Sequence, residues 1–151
     1  MPQVPAMPLR LPILVVEDSP ALQSYFRLLL ELDRYPVAVA GSGEEALAYM
    51  LRAGAPSLVL LDLELPGIDG LETLRRLRPL YPTTKVLMCS AVDDPEVIRR
   101  ALALGAQGYL VKPVKHLYLS AALERCLAED SPPLARLHPA AASLHLVERP
   151  H

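Results

Sequence analysis

From Ile13 to about Ala128, short apolar runs alternate five times with segments of helical periodicity. Few folds accept such a chain, because parallel strands need crossover connections and the crossing helices must cover the sheet they leave. The runs "ILVVED", "PVAVA", "SLVLLD", "KVLMCSA" and "GYLV" are nearly continuous in apolar residues, which marks strands buried on both faces. The sequence therefore predicts an α/β fold, a doubly wound five-stranded parallel sheet with helices on both faces. The strand order expected is the flavodoxin-like 2-1-3-4-5.

The helices between the runs carry their own start and stop signals. Ser19 and Pro20 open the first, and Ser42 with Glu45 three residues later reads as a capping box for the second, which Gly54 ends. The third spans about Gly70 to Leu80, with Asp69 as a turn and helix-start residue rather than a ligand. Asp94 and Pro95 open the fourth and Gly105 closes it. The last, "KHLYLSAALERCLAE", begins at Lys115, where Asp or Ser would be the usual cap.

Three segments are expected: an extension over 1–11, one domain over 12–129 and a Pro/Ala-rich tail over 130–151, with no output domain. The tail "DSPPLARLHPAAASLHLVERPH" is too short for a second catalytic or DNA-binding unit and reads as a tail or short docking segment. Its His138, His145 and His151 are spaced seven and six apart, which suits no compact metal site.

Composition excludes several function classes. A formal net charge of −2 leaves no electrostatic footprint for nucleic acid, and Arg75, Arg76 and Arg78 lie at helical spacing, as on a solvated helix face. No apolar run has the length of a membrane span, and prolines interrupt "MPQVPAMPLRLP" where a signal peptide would be continuous, so the expected location is cytoplasmic. Cys89 and Cys126 have no second ligand nearby and read as buried thiols of a reducing compartment.

In a doubly wound sheet the carboxyl ends of all strands share one edge, and ligands bind there, where the strand order reverses. The polar residues at those ends are Glu17 and Asp18 after the first strand, Asp62 after the third, Ser90 at the fourth, and Lys112 before Pro113 at the fifth. The predicted order sets Asp18 beside Asp62. Three acids against one ammonium leave −2, and two carboxylates about 4 Å apart repel by about 4 kcal/mol at an effective dielectric of about 20. Either pKa values rise or a cation joins them. An all-oxygen site suits Mg²⁺, so the expected partner of Asp62 is a metal held with Asp18, one acid of the Glu17–Asp18 pair acting through water. Lys112 and the Ser90 hydroxyl could then stabilise an anionic oxygen, an arrangement suited to placing a phosphoryl group on Asp62.

Over roughly Pro12 to Glu129 the chain resembles the receiver domain of two-component response regulators (CheY-like). The residues that carry the resemblance are "VVEDSP", "LVLLDLELPGIDG", "MCSA" and "GYLVKP", four blocks in order, each at a strand end. The resemblance implies Asp62 as phosphoacceptor, Glu17 and Asp18 as metal-binding acids, Glu64 as a backbone-carbonyl ligand, and Mg²⁺ or Mn²⁺ as the ion. It further implies Ser90 as switch hydroxyl, Lys112 as phosphate-sensing cation, a cis peptide before Pro113, and Tyr109 as the aromatic whose rotation reports phosphorylation. The partners implied are a sensor histidine kinase or phosphotransfer protein and a separate downstream effector. The effector would bind the face of helix four, strand five and helix five, which could equally mediate a homodimer. Direct nucleic-acid or membrane contact is not expected. Nor is enzyme activity, apart from Mg-dependent self-phosphorylation and self-dephosphorylation at Asp62.

Three other readings compete with this one. A haloacid-dehalogenase-type phosphatase shares an acid two positions after the nucleophile, as in "DLEL", but usually has its nucleophile on the first such strand and aspartate at the second position. A flavodoxin-type binder needs free N–H groups after strand one, where "EDSPA" offers two acids and a proline. A receiver-like module that is never phosphorylated would not need Asp62, Ser90 and Lys112 together.

Overall fold

The computed structural model describes residues 10–128 and the backbone of 147–148. The elements run β1 (Ile13–Val16), α1 (Pro20–Leu32), β2 (Val37–Ala40), α2 (Gly43–Ala53), β3 (Leu58–Leu61), α3 (Gly70–Leu80), β4 (Lys85–Ser90), α4 (Pro95–Ala103), β5 (Gly108–Val111), α5 (His116–Ala128) and β6 (Val147–Glu148). The sheet order is β2-β1-β3-β4-β5-β6 and each pairing is parallel. Five strands thus take the predicted order 2-1-3-4-5, and a short sixth pairs outside β5. Nothing in the run "LVE" distinguishes β6 in the sequence: it is two residues long, below the span over which a period can be read.

Alternation along the strands divides the core into two layers. Ile13 and Val15 face α1 and α5, packing with Phe26, Leu30, Leu119 and Leu123. Leu14 and Val16 face the opposite layer with Met50, Leu74, Leu77 and Ile98 of α2, α3 and α4. All four residues of β1 and of β3 are buried, as strands covered on both faces must be. β2, at the sheet edge, buries only Ala40 fully.

The helix ends follow local chemistry, with two departures. Ser19 Oγ accepts from Leu22 N, Asp69 Oδ1 from Glu72 N at 2.8 Å, and Asp94 Oδ1 from Glu96 N at 2.9 Å, with Pro20 and Pro95 in first-turn positions. Ser42 Oγ accepts from Glu45 N at 3.1 Å, but the returning half of the expected capping box is shifted: the Glu45 carboxylate takes the Gly41 N–H at 2.7 Å. The carboxylate thereby closes the turn leaving β2 as well as the helix. The second departure is at the arginine cluster. Arg75 and Arg76 lie exposed and pair with Glu72, as a solvated face requires. Arg78 does not belong with them: its guanidinium donates to the carbonyls of Thr84 at 2.6 Å, Gly105 at 2.8 Å and Pro82 at 3.2 Å. A planar fork of donors at a helix C-terminus is drawn to such unpaired carbonyls, and here it staples the end of α3 to the loops before β4 and β5.

The start of α5 is tied to the end of α1. Asp33 accepts from Ser120 Oγ and lies 2.9 Å from His116 Nε2. No helix among the described residues is long and apolar enough to cross a membrane.

Candidate functional site

The carboxyl ends of β1, β3, β4 and β5 meet at one edge, and each leaves its polar residue there because the next backbone step exits the sheet. Glu17 follows Val16, and its N–H still bonds to Ala40 O of β2, so the acid stays at the rim. Asp62 follows Leu61, its N–H held by Val16 O at 3.0 Å, and this bond sets the end of β3 against the acidic pair. The β1–β3 adjacency thus makes neighbours of acids far apart in the chain. Oxygens of Glu17, Asp18 and Asp62 lie within 4.8 Å of one another.

Glu17 and Asp62 are buried, whereas Asp18 is exposed. Lys112 reaches both buried acids, with Nζ 2.8 Å from Glu17 Oε2 and 2.9 Å from Asp62 Oδ2. The side-chain partner of Asp62 in the structure is therefore an ammonium shared with Glu17. One lysine cannot balance three carboxylates. Burial raises the Glu17 pKa above the ordinary carboxylate value, and the hydrogen bond to Asp62 adds to this against the opposing pull of Lys112. Burial alone would lower Lys112, but its hydrogen bonds and ion pairs with Asp62 and Glu17 outweigh that and hold the ammonium above its usual range. Beneath them Cys89 is buried, and the thiol is pushed up to about 12.

A site with three carboxylate oxygens in reach and a net charge of −2 fits a hard divalent cation with oxygen ligands. The Asp18 side chain stands on the solvent side, and Glu64 is exposed with its N–H donated to Asp62 Oδ1 at 3.1 Å.

Ser90 is the last residue of β4, fully buried, with its Oγ accepting from Val92 N at 3.2 Å and its carbonyl accepting from Lys112 N. The hydroxyl thus caps the loop after β4 and stands at the same rim as Lys112. Tyr109 is fully buried and donates its hydroxyl to Val92 O at 2.6 Å, so the two residues hold the same loop from both sides. Burial raises the Tyr109 pKa, with a hydrogen bond to Ser90 working against it. The Lys112–Pro113 peptide bond is cis, and Tyr25 of α1 donates to Val114 O just beyond it.

Several residues that position the site escaped the reading of the sequence. Gln23 donates from Nε2 to Glu17 O, clamping the loop that carries the acids to α1. Glu44 accepts from Ile68 N in the loop after β3. Gly70 opens α3 directly against Asp62: a Cβ there would lie 2.2 Å from the Asp62 carbonyl oxygen. Gly67 next to this turn has φ +75°, a conformation that favours glycine. The "PGIDG" spacing was the available signal for both glycines, since such clusters mark tight turns without saying what the turn must avoid.

Comparison with known proteins agrees with this fold. The family model described as "Response regulator receiver domain" matches residues 13–124. The transcriptional activator protein ExaE of Pseudomonas putida is 42% identical over 118 residues, covering 77% of this chain and 55% of that one. The transcriptional regulatory protein AfsQ1 of Streptomyces coelicolor is 38% identical over 115 residues, covering 76% and 50%. This chain thus spans about half the length of the curated relatives it matches. Among solved structures, a CheY-like receiver domain protein from Methanospirillum hungatei superposes with a TM-score of 0.75 at 30% identity, covering 80% of this chain and 96% of that one. Chemotaxis protein CheY4 of Vibrio cholerae gives 0.74 at 30% identity, covering 79% and 100%.

Proposed function

The chain belongs to the response regulator receiver domain family, the phosphoacceptor signalling domain of two-component systems, and on that premise we propose that Asp62 is its phosphoacceptor. The observation that carries this reading is the Lys112 ammonium 2.9 Å from the Asp62 carboxylate, at a rim shared with two further acids. In the proposed step a carboxylate oxygen of Asp62 attacks phosphorus of the donor. The bond from phosphorus to its carrier breaks, and its electron pair leaves with the carrier. Lys112 gives up part of its contact with the acids to meet the incoming phosphoryl oxygens, and the Ser90 hydroxyl donates to another of them. Asp18, Asp62, Glu17 and the Glu64 carbonyl would hold a divalent cation, Mg²⁺ or Mn²⁺, which when bound would neutralise further phosphoryl charge. Hydrolysis reverses the attachment, with water taking the phosphoryl group and Asp62 restored. This self-phosphorylation and its reversal are the catalysis proposed here.

Movement of Ser90 toward a phosphoryl group would pull the loop bonded to it through Val92, which Tyr109 holds from the far side. The proposed output surface is therefore α4, β5 and α5. The donor would be a sensor histidine kinase or phosphotransfer protein, the reader a downstream effector or a second copy, and the place of action cytoplasmic. Residues 12–129 are proposed as the receiver unit, with 1–11 as an extension and 130–151 as a tail.

The test is to offer the protein a small-molecule phosphodonor with Mg²⁺ and follow intact mass and acid-labile phosphate. One phosphoryl group should add to the wild type and none to Asp62→Ala. No addition to the wild type would favour the unphosphorylated module instead.

A further inference from the structure

With five strands, β5 would be the open edge of the sheet, and an exposed edge is a template for any extended chain. The edge is not bare. Val147 and Glu148 lie parallel to it, in register with Tyr109 and Leu110. The direction suits a return from α5. That helix runs back along the sheet, and its Leu127 borders the same surface hollow as Leu11 and Ser57, which precede β1 and β3. A parallel β6 therefore starts from the end of the sheet where α5 stops. The connecting segment 129–146 has enough residues to span on the order of 60 Å when extended, against about 5 Å between neighbouring strands.

Two features make this pairing easy to undo. It joins two residue pairs, where β4 and β5 join four. Pro150, two residues beyond Glu148, has no N–H with which the ladder could be extended. We propose that residues 147–148 are an intramolecular occupant of the β5 edge, a detachable sixth strand that a partner pairing with β5 must displace. The partner class this edge fits is an extended backbone segment, recognised by main-chain hydrogen bonds. The consequence for signalling rests on the α4–β5–α5 output surface proposed above; the occupancy of the edge does not.

The test is amide hydrogen exchange on the full chain, wild type against a Val147→Pro, Glu148→Pro double variant, at two protein concentrations and without phosphodonor or Mg²⁺. The substitutions remove backbone donors from the two residues paired with β5 and alter no residue of β1 to β5. The expected result is that β5 amides facing away from β4 exchange about tenfold or more faster in the variant, while those of β1 and β3 are unchanged. Equal exchange in the two proteins would overturn the proposal. So would acceleration shared by β1 and β3, which would make the segment part of the core. Wild-type protection that rises with concentration would overturn it as well, since the occupant would then be a second copy. Because no phosphoryl group takes part, a negative result here leaves Asp62 untouched, and a failure of phosphorylation leaves the edge untouched.

Discussion

The Lys112 ammonium lies 2.8 Å from the Glu17 carboxylate, a partly buried contact between residues 95 positions apart in the chain. The same nitrogen also holds Asp62, so one cation serves two acids. Removing it strands both in a poorly solvated place. Lys112→Met should therefore cost about 3 kcal/mol near neutral pH, read by urea unfolding in the presence of a chelator. The loss should shrink on acidification. Burial raises the Glu17 pKa, so the folded chain takes up this proton before the unfolded chain does, and this group's contribution to stability rises as pH falls through the folded value. A loss that does not change with pH would separate Lys112 from the acids energetically.

Mg²⁺ should stabilise the wild type, because the folded chain gathers the acids and the unfolded chain does not. At a concentration a hundredfold above its dissociation constant the gain should be about 2.7 kcal/mol. Asp18→Asn and Asp62→Asn should each lose most of that gain. An equal gain in all three proteins, followed as a shift in the urea midpoint, would place the ion elsewhere.

Gly70→Ala tests the packing behind Asp62. Its Cβ would meet the Asp62 carbonyl oxygen at 2.2 Å, a backbone neighbour that cannot swing aside. The expected cost is about 1–3 kcal/mol together with slower phosphorylation by the small-molecule donor. Wild-type stability and rate in the variant would show that α3 can retreat without disturbing Asp62.

Glu64 sits exposed two residues after the proposed phosphoacceptor Asp62, with a carboxylate able to crowd or repel an attacking water. Glu64→Asn should shorten the lifetime of the phosphorylated form several-fold, followed as loss of acid-labile phosphate. An unchanged lifetime removes this role for the side chain.

Cys89 should resist alkylation at mildly alkaline pH in the native state and react on unfolding, since burial holds its thiol neutral up to about 12. The sign follows from the same shift. Its contribution to stability is complete below the unfolded value of 9.0 and is lost as pH rises toward 12. Mass spectrometry after a timed alkylation pulse separates Cys89 from Cys126.

The alternation of apolar runs with capped helices determined the fold class, because buried parallel strands and their crossovers impose patterns that neighbouring residues carry themselves, whereas the strand order followed from the flavodoxin-like arrangement and not from the alternation. Ser19, Asp69 and Asp94 could be read as helix starts because a cap acts within its own turn. The acids at the strand ends could be read for a related reason: once the sheet is parallel, every carboxyl end lies on one edge. Contacts that cross between elements were another matter. That Lys112 grips Glu17 and Asp62 together, that Arg78 turns from its exposed neighbours to staple two loops, that Gly70 must leave room for the Asp62 carbonyl, and that Val147 pairs with Tyr109 were decided only by the tertiary structure. Each depends on distances between segments remote in the chain, and a one-dimensional pattern holds periods and local preferences but no such distances.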